Sequence, residues 1–145
     1  MFGLIVTGHG KFASGMESTL RLLVELNPAI VFIDFSEDKT PDNLKEDFIQ
    51  AINNLEKISC EKIVFLCDIL GGTPFKLAAE IISVNSSISI IYGIHLPLLV
   101  DLALNQDNFK DSELEDKLVI AVKEAKQQID LFAWSLKETI DNEGI

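Results

Sequence analysis

The sequence predicts an α/β fold: an open sheet of mainly parallel strands with helices on both faces and a long helix at the C-terminal end. Three observations lead there. Short apolar, β-branched runs alternate with longer segments of helical period, the pattern of a parallel sheet covered by helices. Proline and glycine punctuate the junctions between these segments. The chain of 145 residues is also the common size of one domain, long enough to bury roughly 70% of the surface its unfolded form exposes, so residues 1–145 are expected to share one core.

The first strand is expected over Phe2 to Thr7, running straight into Gly8, His9 and Gly10. Met16, Leu20, Leu23 and Val24 then fall on one face of a helix. Pro28 separates that helix from a second strand, Ala29 to Phe35. Thr40 is suited to cap the next helix and Pro41 to its first position, where no N–H is needed; Leu44, Phe48, Ile52 and Leu55 form its buried stripe. The third strand, Lys62 to Asp68, is apolar almost throughout and ends on a carboxylate, which is unusual for a run suited to a sheet interior. Gly71 and Gly72 follow, and Thr73 with Pro74 repeats the cap-plus-proline signal ahead of a helix through Ile82. A fourth strand covers Ile88 to Tyr92, and a short apolar helix covers Leu98 to Leu104 after Pro97. A last helix starts near Ser112, with apolar positions at Leu114, Leu118, Val122, Ala125, Ile129, Phe132, Leu136 and Ile140. At about 1.5 Å per residue it would span roughly 40 Å, more than one domain face requires, and so reach toward a second subunit.

Charge narrows the possible partners. A formal net charge of -11 repels phosphate backbones and anionic lipid surfaces, so nucleic acid and direct membrane binding are not expected. A small anion would need local donors, of which helix N-termini are the obvious source. Cys60 and Cys67 match no zinc or secreted-disulfide spacing and are read as reduced and structural. The N-terminal stretch lacks a basic region and a long apolar segment, and no apolar run reaches the roughly 20 residues of a membrane span. A cytoplasmic location is the expectation.

Ligands of open parallel sheets bind beyond the carboxyl ends of the strands, where the strand order reverses. Three of the strand ends carry polar or glycine-rich turns: Gly8-His9-Gly10, Asp68 with Gly71-Gly72-Thr73, and Gly93-Ile94-His95. If the first and third strands are neighbours, as in the flavodoxin-like order 2-1-3-4, His9 and Asp68 meet at one rim. Glycines on both sides of His9 permit a sharp turn and an accessible imidazole. A plain surface histidine would fit the same residues, but a half-buried Asp68 needs a donor. An imidazole Nδ1–H supplies one and leaves Nε2 outward as a nucleophile. The Gly71-Gly72-Thr73-Pro74 segment is either an ordinary strand-to-helix turn or an anion cradle of free N–H groups, with phosphate the natural guest. Neither a GxxxxGK[ST] loop nor a GxGxxG loop occurs, so nucleotide cofactors are not supported, and no metal cluster is evident. Nucleophilic imidazole, orienting carboxylate and phosphate cradle together describe phosphoryl transfer through histidine.

Three segments, IVTGHGKFASGM around His9, FLCDILGGTPF around Asp68 and YGIHLPLLVDL near the fourth strand, resemble the mannose/fructose/sorbose-type IIA family of the bacterial sugar phosphotransferase system. The resemblance reaches to about Leu104 and implies a flavodoxin-like domain, usually a homodimer, that takes phosphate from the carrier HPr on its active histidine and passes it to a IIB component. That histidine would be His9, the orienting aspartate Asp68, and the phosphate-binding turn Gly71, Gly72 and Thr73. It implies no cofactor, and contact with the membrane only through the transporter complex. Two departures stand out. His95 replaces the family's usual Asn before Leu96-Pro97, as a capping or loop-ordering residue or as a second titrating group; and the C-terminal segment reads as helix where family dimers can exchange a strand. The phosphocarrier subunit of a dihydroxyacetone kinase is a rival, although its turn after the aspartate typically reads GSA. A regulatory IIA-like module that binds a protein partner is another, and a hydrolase using His9 and Asp68 lacks a serine or cysteine in a GxSxG-like setting.

Overall fold

The computed structural model describes residues 1–134. Among them, four strands form one sheet: β1 (Gly3–His9), β2 (Ile30–Phe35), β3 (Ile63–Cys67) and β4 (Ile88–Tyr92). Their order is β2-β1-β3-β4 and every pair is parallel, the order the sequence predicts. The helices are α1 (Phe12–Leu23), α2 (Pro41–Lys57), α3 (Thr73–Ile82), α4 (Leu96–Leu104) and α5 (Leu114–Lys126), the last led in by a single 3-10 turn, Asp111–Glu113.

Alternation along the strands divides the core in two. Leu4 and Val6 of β1 and Val64 and Leu66 of β3 pack with Ala13 and Leu20 of α1, Leu99 and Leu102 of α4, and Leu114 and Leu118 of α5. Their chain neighbours Ile5, Phe65 and Cys67 turn to the opposite face, onto Leu44, Phe48, Ile52 and Leu55 of α2 and Ala78 of α3. The Phe48 and Phe65 rings meet edge to face at 5.0 Å, and burying a ring of this size contributes about 1.5–3 kcal/mol. β1 and β3, the interior strands, are buried on both faces, which is why their sequences carry almost no polar residue.

Local signals in the sequence account for most boundaries. Thr40 caps α2 in a reciprocal box: its hydroxyl accepts the Asn43 N–H at 3.1 Å while its own N–H donates to Asn43 Oδ1 at 3.2 Å, and Pro41 opens the helix. At the opposite end of the sheet, the buried Gln106 amide donates to the carbonyls of Phe2 and Ala29 at 2.9 and 3.1 Å, tying the starts of β1 and β2 to the loop after α4.

Three expectations change. The first strand runs on through His9, because pairing with β2 continues to the His9–Phe35 pair, so the histidine stands on the strand and not in the turn after it. On α1, Leu23 is exposed; Ala13 and Leu20 form the buried stripe with Phe12 and Met16 packed beside them. The C-terminal helix is present but ends at Lys126, short of the periodicity that continues to Ile140. Helix stability comes chiefly from packing an apolar face, and that support stops where α5 leaves the domain surface: Ile129 and Phe132 lie past its end, exposed. Leu136 and Ile140 lie outside the described residues.

Candidate functional site

β1 places Ile5, Thr7 and His9 on the α2/α3 face of the sheet and Gly8 on the other, and β3 ends one residue before Asp68. Asp68 continues the ladder, donating its N–H to Thr7 O at 3.2 Å, so the interior strand pair itself brings its side chain to His9. Asp68 Oδ2 accepts the His9 backbone N–H at 2.9 Å and lies 2.8 Å from His9 Nδ1, while Oδ1 accepts the Ile69 N–H at 2.8 Å. Burial alone would push this carboxyl up. The hydrogen bonds from the His9 backbone and ring and from Ile69, with the nearby His9 charge, outweigh it and hold the group below its ordinary value.

An ionised carboxylate only accepts, so in the neutral imidazole the 2.8 Å contact assigns the ring proton to Nδ1 and leaves Nε2 with its lone pair. The side chains are disposed accordingly: His9 is 45% exposed and Asp68 12%. The ring thus stands at the surface while its support is mostly covered.

Glycine is required at two places around this pair. A Cβ on Gly8 would lie 2.6 Å from Phe12 Cδ1 and 2.8 Å from Asp68 Cγ. A Cβ on Gly72 would lie 2.5 Å from His9 Cε1 and 3.1 Å from Nε2, so the backbone ahead of α3 packs directly against the Cε1–Nε2 edge of the imidazole. Gly71 supports this approach with a φ of +80°, a left-handed conformation that favours glycine.

The cap of α3 falls one residue earlier than the sequence predicts. Gly72, in extended conformation, is the N-cap; Thr73 is the first helical residue and Pro74 the second. The first helical bond runs from Lys76 N–H to Gly72 O at 2.9 Å. By helix geometry the N–H groups of Thr73 and Phe75 therefore have no acceptor within the helix, and the positive end of its dipole points toward the His9 edge.

His9, Asp68, Gly72 and Thr73 are thus brought to one rim, with Gly71 in the turn that joins them. His95 has a different employment. It caps α4, with Nδ1 accepting the Leu98 N–H at 3.2 Å, and Nε2 meets Ala125 O of α5 at 2.8 Å; this is the capping reading, extended by a tie to α5. Both cysteines are free and buried, and burial, helped by the Asp68 charge, pushes the Cys67 thiol up to about 12, so it stays protonated. One neighbour was not singled out from the sequence: Phe35, whose ring stands edge-on to His9 at 6.2 Å between centroids. Its signal was the strand order itself, which puts the end of the second strand beside His9. Exposed Ile69 and Leu70 add apolar surface next to Asp68. Among the described residues no group of three or more His, Cys, Asp or Glu could hold a metal ion, and no helix is long and apolar enough to cross a membrane.

Comparisons with known proteins bear on the family and the fold. The family model for mannose-type EIIA, described as the PTS system fructose IIA component, matches residues 3–119. The fructose-specific EIIA component of Bacillus subtilis (strain 168) is 24% identical over 118 residues, which cover 81% of this chain and 80% of that one. The mannose-specific EIIAB component of Escherichia coli (strain K12) is 23% identical over 126 residues, covering 87% of this chain and 38% of its own greater length. A crystal structure of the phosphotransferase component EIIA from Streptococcus agalactiae superimposes with a TM-score of 0.80 at 23% identity, over 91% of this chain and 98% of that one. With the family model matched over most of its length, the chain belongs to the mannose/fructose/sorbose family of phosphotransferase-system IIA components.

Proposed function

We propose that the chain is a phosphoryl carrier that accepts phosphate from HPr on His9 and passes it to a IIB component during sugar uptake. The observation that carries the reading is the 2.8 Å contact between His9 Nδ1 and Asp68, which turns an unprotonated Nε2 outward beside the start of α3.

In the forward step the Nε2 lone pair forms the new N–P bond as the bond to the donor's imidazole breaks, and the electron pair of that bond stays with the donor ring. Nδ1 keeps its proton. The positive charge that develops on the His9 ring faces the Asp68 carboxylate, which stabilises it without moving a proton. The phosphoryl oxygens carry the opposite charge and face the α3 N-terminus, where the N–H groups of Thr73 and Phe75 are open to them and the small Gly71 and Gly72 let them approach. Transfer to the IIB component reverses these roles. Exposure at 45% suits a ring that must meet two partners in turn.

Location and assembly follow from the family and two local features. Two buried free thiols suit a reducing compartment, in keeping with a cytoplasmic carrier. Exposed Ile129, Leu131 and Phe132 after α5, together with β4, the last strand of the sheet among the described residues, offer apolar surface for a second copy, in keeping with a homodimer. Incubation with phosphoenolpyruvate, enzyme I and HPr is expected to add a single acid-labile, base-stable phosphate, and His9→Ala to abolish it. Label that persists in that variant would remove His9 from the reaction, and failure of a IIB component to drain the label would point to a regulatory module.

A further inference from the structure

We propose that Asp34, near the rim end of β2, is a positioning residue for His9: it caps α1 from the neighbouring strand and so fixes the turn on which the imidazole is mounted. The inference rests on reading His9 as the phosphoryl acceptor.

α1 has no cap of its own. Its N-cap residue is Lys11, whose side chain makes no capping bond and carries only donors, with a charge of the wrong sign for a helix N-terminus. Asp34 supplies what is missing. Its Oδ1 accepts the Ser14 N–H at 2.8 Å and its Oδ2 accepts the Ser14 hydroxyl at 2.6 Å. Ser14 is the third residue of α1, one of the positions whose N–H has no partner inside a helix. Both bonds are charge-assisted, and the carboxylate also places negative charge at the positive end of the helix dipole.

The consequence for His9 is geometric. Only Gly10 and Lys11 separate the end of β1 from the start of α1. Upstream, the ring-bearing residue is held by Asp68, one residue past the end of β3; downstream, the same short link is held from β2, by Gly10 N–H to Phe35 O at 2.8 Å and by Asp34 through Ser14. The register sets Asp34 beside Gly8 and Phe35 beside His9. Phe12, the first residue of α1, lies so close to Gly8 that no Cβ fits between them, so a shift of the first helical turn is passed directly to the residue before His9. Asp34 is itself anchored, since Lys39 Nζ donates to its backbone carbonyl at 2.9 Å while pairing with Asp47 at 2.7 Å. Two carboxylates, one on β2 and one just past the end of β3, therefore fix the two ends of the turn.

The test compares Asp34→Ala, Asp34→Asn and Ser14→Ala with Thr40→Ala, which removes the cap of α2 without touching the His9 turn. Two quantities are read: the rate of phosphorylation from phosphorylated HPr, separated into its saturated value and half-saturating concentration, and the ring-nitrogen NMR signals of His9 in the unphosphorylated chain. Asp34→Ala is expected to lower the saturated rate by about tenfold or more, the scale of effect of a small misplacement of a reacting group, with little change in half-saturation and with altered His9 signals. Asp34→Asn regains part of the rate, because its amide oxygen still accepts the Ser14 N–H. Thr40→Ala loses comparable thermal stability and leaves both quantities unchanged. A folded Asp34→Ala with the wild-type rate and ring signals overturns the proposal, as does Thr40→Ala slowing transfer equally. Should Asp34→Ala fail to fold, Ser14→Ala decides: a slower saturated rate with shifted ring signals supports the proposal, and wild-type values overturn it. If the wild-type chain takes up no phosphate, the carrier reading fails by itself, and the ring signals still decide on Asp34, unchanged signals counting against it.

Discussion

Replacing Gly72 by alanine sets one methyl group against the imidazole and little else. The added carbon would lie 2.5 Å from His9 Cε1, so the ring must retreat by about 1 Å to recover an ordinary contact of about 3.5 Å. The Nδ1 to Asp68 distance, 2.8 Å at rest, has less slack than that, and a retreat of this size away from Asp68 takes it to about 3.8 Å, past a useful hydrogen bond. Misplacing a reacting group by 1 Å costs about a hundredfold in rate. Folding is affected far less: the backbone at Gly72, φ -72° and ψ 169°, is open to alanine, and the swinging ring gives way instead of the main chain, so a loss of about 1 kcal/mol at most is expected from a poorer N-cap. Gly71→Ala is the opposite case. At φ +80° a side chain is strained, by roughly 1–2 kcal/mol, yet it would meet nothing within 4 Å. Thermal unfolding and HPr-dependent phosphorylation, measured on both variants, should thus rank them in opposite orders. A Gly72→Ala protein with the wild-type rate would refute the close approach of α3 to the reactive nitrogen.

Three further outcomes follow from the contacts of Asp68 and His95. Asp68→Asn should stay folded but transfer phosphate more slowly, because the proton-bearing Nδ1 loses a charged acceptor. Since the Asp68 carboxyl is depressed in the folded chain, it adds stability above its ordinary value of 3.8 and loses it as pH falls through the lowered value, so the Tm of the wild type should fall relative to Asp68→Asn below about pH 4. Parallel Tm curves from about pH 5 to 2 would contradict this. His95→Asn keeps an acceptor for the Leu98 N–H but cannot reach Ala125 O, so stability should drop by about 1 kcal/mol and amide exchange in the last turn of α5 should quicken; an unchanged exchange pattern would show that the tie carries no weight.

Much of this architecture is written in local patterns. Apolar runs locate every strand, the Thr-Pro junction locates the start of α2, and a carboxylate at the end of an otherwise apolar run marks Asp68. Two kinds of information were not local. The one-residue shift of the α3 cap depends on which residue bends to bring the chain against His9, and both Gly72 and Thr73 satisfy capping preferences. The end of α5 at Lys126 depends on where the domain surface runs out, which a periodicity of apolar residues does not encode. Asp34 and Phe35 stayed hidden for a related reason: on a strand of mostly apolar residues they acquire meaning only through lateral register, which sets them opposite Gly8 and His9.

β1, which ends on His9, and β3, which leads directly into Asp68, are the middle strands of the sheet, with β2 and β4 shielding them on either side. Opening the centre of such a sheet requires the whole domain to come apart, whereas its margins can fray on their own. The reactive dyad is therefore mounted on the last part of the molecule to let go. In the proposed role, repeated encounters with successive partners would load a chassis that yields only in global unfolding, and heat should extinguish phosphate uptake together with the fold.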